Sequence, residues 1–344
     1  MSENGDSTDA GGRTPTPVAA SLCRTSSTVR EDLRAVLAEK TTVSAVDVPL
    51  SLLPPILAAR DQAETENTWS LVCRPDAIDV LGRSIVLGTA VAEAIEEGAL
   101  TLRVRAPDAC ETDTGGAVDV APQTLFAGPD WTAAVSGPVG EERLLTSGDT
   151  DTERRTDSGS KSVQPDMIHA AIDERVSAAA SASVGMPSRR RLHVSARKIL
   201  DDRFAGDVVA LLDALEYGAI GRQGPVTDRV VLVALAARHD QLFSDLRAWI
   251  GTEHADGVGI AAGQELTAAR RSLVDRGVIE SIRVPMGPGR PRLRLRAVDG
   301  EVERAHPAAV VELLRERYAA SSGERDRSQH GYRDAVRHRE SDRL

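Results

Sequence analysis

The sequence predicts a mixed α+β / α/β chain, with an N-terminal α/β domain followed by a C-terminal unit of three short helices and a β-hairpin. Three observations carry this reading. The 344 residues divide, at roughly 150 per domain, into two domains plus connecting material. Between residues 43 and 105, short apolar or β-branched runs alternate with capped helical stretches. Between residues 226 and 298, three capped apolar periods precede two strand-like runs joined by a Gly/Pro turn.

Composition bounds the answer further. Hydrophobic residues make up 41% of the chain but aromatics only 3%, so the cores must rest on Ala, Val, Leu and Ile. No run approaches the roughly 18 to 20 apolar residues of a membrane span. Met1 to Pro17 is polar and acidic with no apolar segment, so a secretory leader is not expected and the place of action reads as cytoplasmic. Cys23, Cys73 and Cys110 are too few and too far apart for a disulfide scaffold or a CxxC site. Of 42 basic residues only Lys40, Lys161 and Lys198 are lysines, and the net charge is −10. An acidic, Lys-poor, Ala/Val-rich chain suits a protein kept hydrated in a salt-filled, halophilic cytoplasm. A GC-rich genome produces the same bias.

Residues 1–25 are rich in Ser, Thr, Gly and Asp without apolar period and read as disordered. The α/β domain spans 26–185. Thr28 to Glu31 has capping-box spacing before Leu33, Val36 and Leu37. Val43 to Val48 reads as a strand, and Leu52 to Arg60 as a helix interrupted near its start by Pro54 and Pro55. Trp69 to Cys73 is a buried strand and Arg74-Pro75-Asp76 a turn. Ser84 caps a helix to Glu97 that Gly98 ends, and Leu100 to Arg105 is the next strand. Short strands follow at Val118 to Val120, Thr124 to Ala127, Trp131 to Ser136 and Arg143 to Leu145, and Met167 to Ala180 is helical. A connector at 186–225 opens on Met186-Pro187-Ser188-Arg189-Arg190-Arg191, which breaks the pattern, and holds a helix near Arg203 to Leu215.

The segment 226–298 is the most legible. Thr227 or Asp228 caps a helix that is apolar on nearly every side and must sit centrally. Asp240 begins a second helix carrying Leu242, Phe243, Leu246, Trp249 and Ile250. A third runs from Gln264 to Arg276 and stops at Gly277. Val278 to Pro285, the turn Met286 to Pro291, and Arg292 to Ala297 make a hairpin, the last run alternating leucines inward with arginines outward. Three helices and a hairpin in this order form a winged helix-turn-helix. Residues 299–344 add one amphipathic helix (Val310, Leu313, Leu314, Tyr318) and a disordered charged tail.

A helix-turn-helix places its recognition helix in the major groove. On the third helix Leu266, Ala269 and Leu273 face the bundle, leaving Gln264, Thr267, Ala268 and Arg271 pointing away, with Arg270 on the flank. Gln and Arg make bidentate contacts to adenine and guanine, and Thr touches the thymine methyl. Between Gly263 and Val298 eight arginines face three acids, a local +5 in a chain of −10. The candidate DNA-contacting residues are therefore Gln264, Thr267, Arg270 and Arg271, with Arg290, Arg292, Arg294 and Arg296 of the wing. The competing readings are a winged helix that only scaffolds protein contacts, and an α/β enzyme with an unrecognised site.

Enzyme signals are weak. Gly257 to Ala262 fits a loose GxGxxA pattern but lacks the preceding strand and following acid of a dinucleotide site. No GxSxG elbow, Walker lysine, HxxxH pair or HExxH motif occurs. No catalytic residue, metal or cofactor is expected. In the α/β domain, Arg74 and Asp76 stand between a strand and a helix, where such sheets hold ligands; an exposed salt bridge at a turn is the plainer reading.

The run Leu273-Val274-Asp275-Arg276-Gly277-Val278-Ile279-Glu280, with Arg283-Val284-Pro285 and Gly289-Arg290-Pro291, resembles haloarchaeal transcriptional regulators of the TrmB-suppressor (TbsP) type. The domain order is similar over about residues 26 to 298. The resemblance implies a regulator of sugar or central carbon metabolism. The α/β half also resembles the phospholipase-D-like sensor domain of TrmB-type regulators, but the HxK motif is missing at every histidine, so no catalysis carries over. The expected partners are double-stranded DNA, a small metabolite and a second copy of the chain, with no membrane.

Overall fold

A computed structural model describes residues 22, 24–105, 123–147, 165–220, 224–252, 257–286 and 290–320. The strand expected at Val118 to Val120, most of the N-terminal segment 1–25, and the tail beyond residue 320 lie outside the described residues.

Order begins earlier than the capping-box spacing at Thr28 suggests. Ser26 caps helix α1 (Ser27–Ala38), its hydroxyl accepting from the Val29 amide, and Thr25 is buried against Ser51 with their hydroxyls 2.7 Å apart. Strand β1 (Ser44–Val48) leads through a 3₁₀ turn into α2 (Leu53–Gln62). Pro54 and Pro55 start this helix rather than interrupt it, because the first turn needs no amide donors. After β2 (Trp69–Cys73), Arg74 is not in a simple turn. It precedes a seven-residue helix, α3 (Pro75–Leu81), whose two buried positions, Ala77 and Leu81, are too few to give a readable period. Helix α4 (Ile85–Glu96), capped by Ser84, and β3 (Leu100–Val104) fall where expected. So do β4 (Thr124–Gly128), β5 (Trp131–Ser136), β6 (Arg143–Thr146) and α5 (Pro165–Ala178), which is followed by the two-residue β7 (Ala180–Ser181).

Among the described residues the strands form one sheet in the order β6-β5-β4-β1-β2-β3-β7. β1, β2 and β3 run parallel and the outer strands antiparallel to their neighbours. The pleat divides the core. Ala45, Leu71 and Phe126 face α1, α2 and α4, while Val46, Val72 and Ala127 face Ile172 and Val176 of α5.

Where the sequence reading has only a pattern-breaking run, the structure forms α6 (Arg189–Ile199), a basic helix capped by Ser188 with only Leu192 and Ala196 buried. Its first turn and α7 (Asp202–Ala214) link both halves of the chain. The Arg190 amide donates to Glu93 of α4 at 2.8 Å, and the Ser84 hydroxyl donates to the Tyr217 carbonyl at 3.1 Å. The first core cluster runs without a break from the sheet into the C-terminal helices.

Helix α8 (Asp228–Arg238) is central, buried at every position from Asp228 to Ala237. Asp240 does not begin the next helix. It sits in left-handed backbone at φ 52°, and α9 (Phe243–Ile250) starts after Leu242. Phe204 of α7 meets Trp249 of α9 edge-on at 5.1 Å. Then come α10 (Gly263–Asp275), β8 (Ile279–Val284) and β9 (Arg292–Ala297), with Leu242 bridging Arg294 as a third strand position. Helices α11 (Gly300–Arg304) and α12 (residues 307–320) return to α8, where Arg238 donates to the Ala305 carbonyl at 2.8 Å.

Asp299 caps α11 and accepts from Arg317 of α12 at 2.7 Å. This hydrogen bond, helped by the Glu301 and Val302 amides, holds its carboxyl below the usual carboxylate range. The stabilisation is complete above the unfolded pKa of about 3.9 and is lost as pH falls through the lowered folded value. Urea midpoints measured from pH 6 to pH 2.5 should show an acid-limb decline that Arg317→Gln flattens.

Candidate nucleic-acid interface

The pose of α10 is set from beneath by a buried ion pair. Asp228 and Arg229 pair at the start of α8, their side chains only 1% and 4% exposed. Arg229 also donates from Nη2 to the Ile260 carbonyl at 2.6 Å and lies 3.7 Å from Glu265. Glu265 in turn accepts from the Ala262 amide at 2.8 Å, closing the first turn of α10. The chain arrives through Gly259 at φ 72° and leaves through Gly277 at φ 66°. Sequence reasoning offered Asp228 only as a cap, and Thr227 takes that role. The available signal was an Asp-Arg dipeptide in a helix otherwise buried all round.

The predicted outward face of α10 stands. Leu266, Ala269 and Leu273 are buried, while Gln264, Ala268 and Arg271 are exposed. Thr267 is half-buried, with its hydroxyl donating to the Gly263 carbonyl at 2.8 Å, so its methyl is what it can offer a base. Arg270 has work inside the protein. Its guanidinium donates to Ser281 of β8 at 3.0 Å and stacks 5.4 Å over Phe243, clamping α10 to the wing and to α9.

The wing arginines do share the face turned away from Leu293 and Leu295, but that face is not free of partners. Cross-strand partners put Glu280, Ile282 and Val284 on one face with Arg296, Arg294 and Arg292. On that face Arg292 lies 3.7 Å from Asp245, and Arg296 lies 3.6 Å from Asp240 and 3.9 Å from Glu280. Arg294 is half-buried beside Leu242. The opposite face carries Ser281, the anchor of Arg270, and hence Arg283, an exposed residue missing from the sequence-based set. Among the described residues Arg271, Arg283 and Arg290 are exposed and have no hydrogen-bond or ion-pair partner. Arg276 is drawn onto the Tyr318 ring at 3.9 Å. The charge excess read from the sequence thus condenses to three exposed, uncommitted guanidiniums, with Arg294 unpaired among the described residues but half-buried.

In the sheet domain, Arg74 and Asp76 do line a small cleft of about 90 Å³, with Thr25, Ser51, Thr124 and Glu142 among its walls. It lies beyond the carboxyl ends of β1 and β2, where open α/β sheets take ligands. The two residues do not pair with each other among the described residues. Arg74 instead donates to the Asp47 carbonyl at 3.2 Å. Asp47, not foreseen, is the next-to-last residue of β1 and sits at φ 60°, a strained setting for a side-chain-bearing residue. The Thr124 hydroxyl also donates to its carbonyl at 3.1 Å, and its carboxylate takes Arg105 at 2.9 Å. Cys73 is fully buried and burial pushes its thiol up to about 12, so it is inert at neutral pH. No group of three or more His, Cys, Asp or Glu suited to a metal occurs among the described residues, and no helix there is long and apolar enough to cross a membrane.

Removing the guanidinium deprives the buried Asp228 carboxylate of its adjacent counter-charge. Arg229→Ala should cost about 3–5 kcal/mol of unfolding free energy, and the double change Asp228→Leu/Arg229→Met should recover most of it, read by urea titration.

Comparison with protein families matches residues 23–120 to the N-terminal domain of TbsP-like transcriptional regulators and residues 188–315 to their C-terminal HTH domain. Searches of curated proteins and of solved structures return no match. The two matched stretches cover more than half of the chain and take in both the sheet's parallel strands and the whole winged helix. The chain therefore belongs to the TbsP-like transcriptional regulators.

Proposed function

We propose that this regulator binds specific DNA sequences as a homodimer, with α10 in the major groove and the wing on the flanking backbone, and that its sheet domain binds a small metabolite. The observation that carries the reading is three exposed, uncommitted guanidiniums: Arg271 on the polar face of α10, Arg283 on the α10 side of the wing, and Arg290 at the wing turn. Gln264 and Arg271 are the base readers and Thr267 contributes its methyl. Arg283 and Arg290 neutralise phosphate, which positions without specifying. Arg292, Arg294 and Arg296 contribute less, because each is already engaged or half-buried. The acidic, Lys-poor composition favours a halophilic, intracellular setting, and the resemblance drawn from sequence makes genes of sugar and central carbon metabolism the targets. At molar salt the Debye length is only about 3 Å, so groove hydrogen bonds outweigh long-range charge.

Competitive binding of specific and scrambled duplexes at fixed high salt tests the assignment. Arg271→Ala should cost about 1–3 kcal/mol at the cognate site and relax its sequence preference. Arg283→Ala and Arg290→Ala should weaken both duplexes alike, and Arg292→Ala should do so less. If no genomic duplex outcompetes the scrambled one, the protein-scaffold reading replaces this one.

The metabolite reading rests on the cleft at Arg74 and the strained Asp47 beside it. Titration calorimetry against phosphorylated sugars and glycolytic acids should give a heat that Arg74→Ala abolishes while DNA binding persists. Silence across the panel would leave dimerisation as the domain's role.

A further inference from the structure

β6 is an edge of the large sheet. β5 occupies one side of its backbone, and no described strand occupies the other. Strand register carries an apolar row across four strands on the α5 face: Val46 beside Leu125, Leu125 beside Ala134, Ala134 beside Leu145. Helix α5 covers the inner end, where Val46 is buried against Ile172 and Val176. The outer end is bare, with Leu145 58% exposed. An open strand edge that ends an uncovered apolar row is a pairing surface.

We propose that a second copy of this chain covers it, β6 pairing antiparallel with β6 of the partner subunit about a two-fold axis. The inference rests on the homodimer reading above and gives it a surface. Residues opposite one another across an antiparallel pair share a face. A register centred on Leu145 sets it against the partner's Leu145 and runs the apolar row unbroken from one sheet into the next. Arg143 then stands opposite the partner's Ser147. Centring on Arg143 would set guanidinium against guanidinium, which is destabilising. Charge points to the same place. Two chains of −10 repel over most of their surface, but the row from Val46 to Leu145 carries no carboxylate. The chain's own continuation is a poor cover, since residues 148–164 contain a single large aliphatic, Val163. A closed, isologous contact is the form in which a strand edge pairs with its own copy.

The test is sedimentation velocity on the full chain in high salt, for the unmodified protein, Leu145→Asp, and Val194→Asp as a control at another exposed apolar position. The unmodified chain and the Val194 variant should sediment as dimers. Leu145→Asp should weaken the dimer by about 100-fold or more, because a carboxylate would be forced into an apolar contact with its own copy. In a Cys23→Ser/Cys110→Ser background, Leu145→Cys should form an interchain disulfide on mild oxidation. A monomeric unmodified chain would overturn the homodimer reading and this surface together. A dimer that survives Leu145→Asp, with no cross-link through Cys at 145, would overturn this surface alone. Should Leu145→Asp fail to fold, the cross-link decides.

Discussion

The buried pair of Asp228 and Arg229 is the interaction on which the C-terminal half depends. Taking two charges out of water costs several kcal/mol per ion, and an apolar pair of similar volume is often as stable. Stability is therefore a weak reason for the pair's presence. Its geometry is a better one. The guanidinium reaches the Ile260 carbonyl and approaches Glu265, so it fixes the chain just before α10 and the first turn of α10 itself. A purely apolar α8 would hold the bundle together but leave that loop free to slide. If α10 reads the groove as proposed, its side chains must be placed to within a fraction of an ångström, so a polar anchor beneath it is where the cost of burial has its use.

Arginine is used throughout as an internal fastener, which alters how charge should be counted. Arg270 ties α10 to β8 and α9, Arg276 lies on the Tyr318 ring, and Arg238 holds the Ala305 carbonyl. A planar guanidinium with five donors serves carbonyls, hydroxyls and rings at once, which a lysine cannot do. In a chain with only three lysines, formal charge overstates what remains for a partner. The pairs of Arg292 and Arg296 with surface acids lie at 3.6 to 3.9 Å, so each is worth little by itself and can yield to phosphate.

Legibility in the sequence followed the strength of the hydrophobic period. Helices α4, α8 and α10 carry several buried positions each and a clear cap or stop, and all three were placed from residues alone. Helices α3 and α6 bury only two side chains apiece, so composition hid them. The outward face of α10 followed from helical geometry, whereas the wing could not be divided the same way. Alternation shows that Arg292, Arg294 and Arg296 share a face but not which neighbour that face meets. Pairing register decides it, and register also brings Arg283 to the α10 side. Asp47 was invisible for a related reason: its role comes from a positive φ at the next-to-last residue of β1, and no residue type announces that.

For a ligand in the sheet domain to alter DNA affinity, it must bind one arrangement of the two halves more tightly than another. The covalent and packed route is short. Ala77 and Val80 of α3 line the cleft, and α3 runs directly into α4 through Ser84. Ser84 holds the Tyr217 carbonyl, while Glu93, about two and a half turns along α4, holds the Arg190 amide at the start of α6. Arg189, beside it, donates to the Leu212 carbonyl at 3.2 Å and pairs with Asp213 at 2.7 Å. Helix α6 then packs on α7, and α7 reaches α9 through Phe204 and Trp249. A rigid shift of α3 and α4 is therefore felt at the helix that precedes the recognition helix, because close-packed elements of this kind move as bodies rather than deform. The same continuity limits the effect: the anchor at Arg229 keeps α10 fixed on α8, so a ligand would act by re-aiming the whole winged helix rather than by reshaping its reading face.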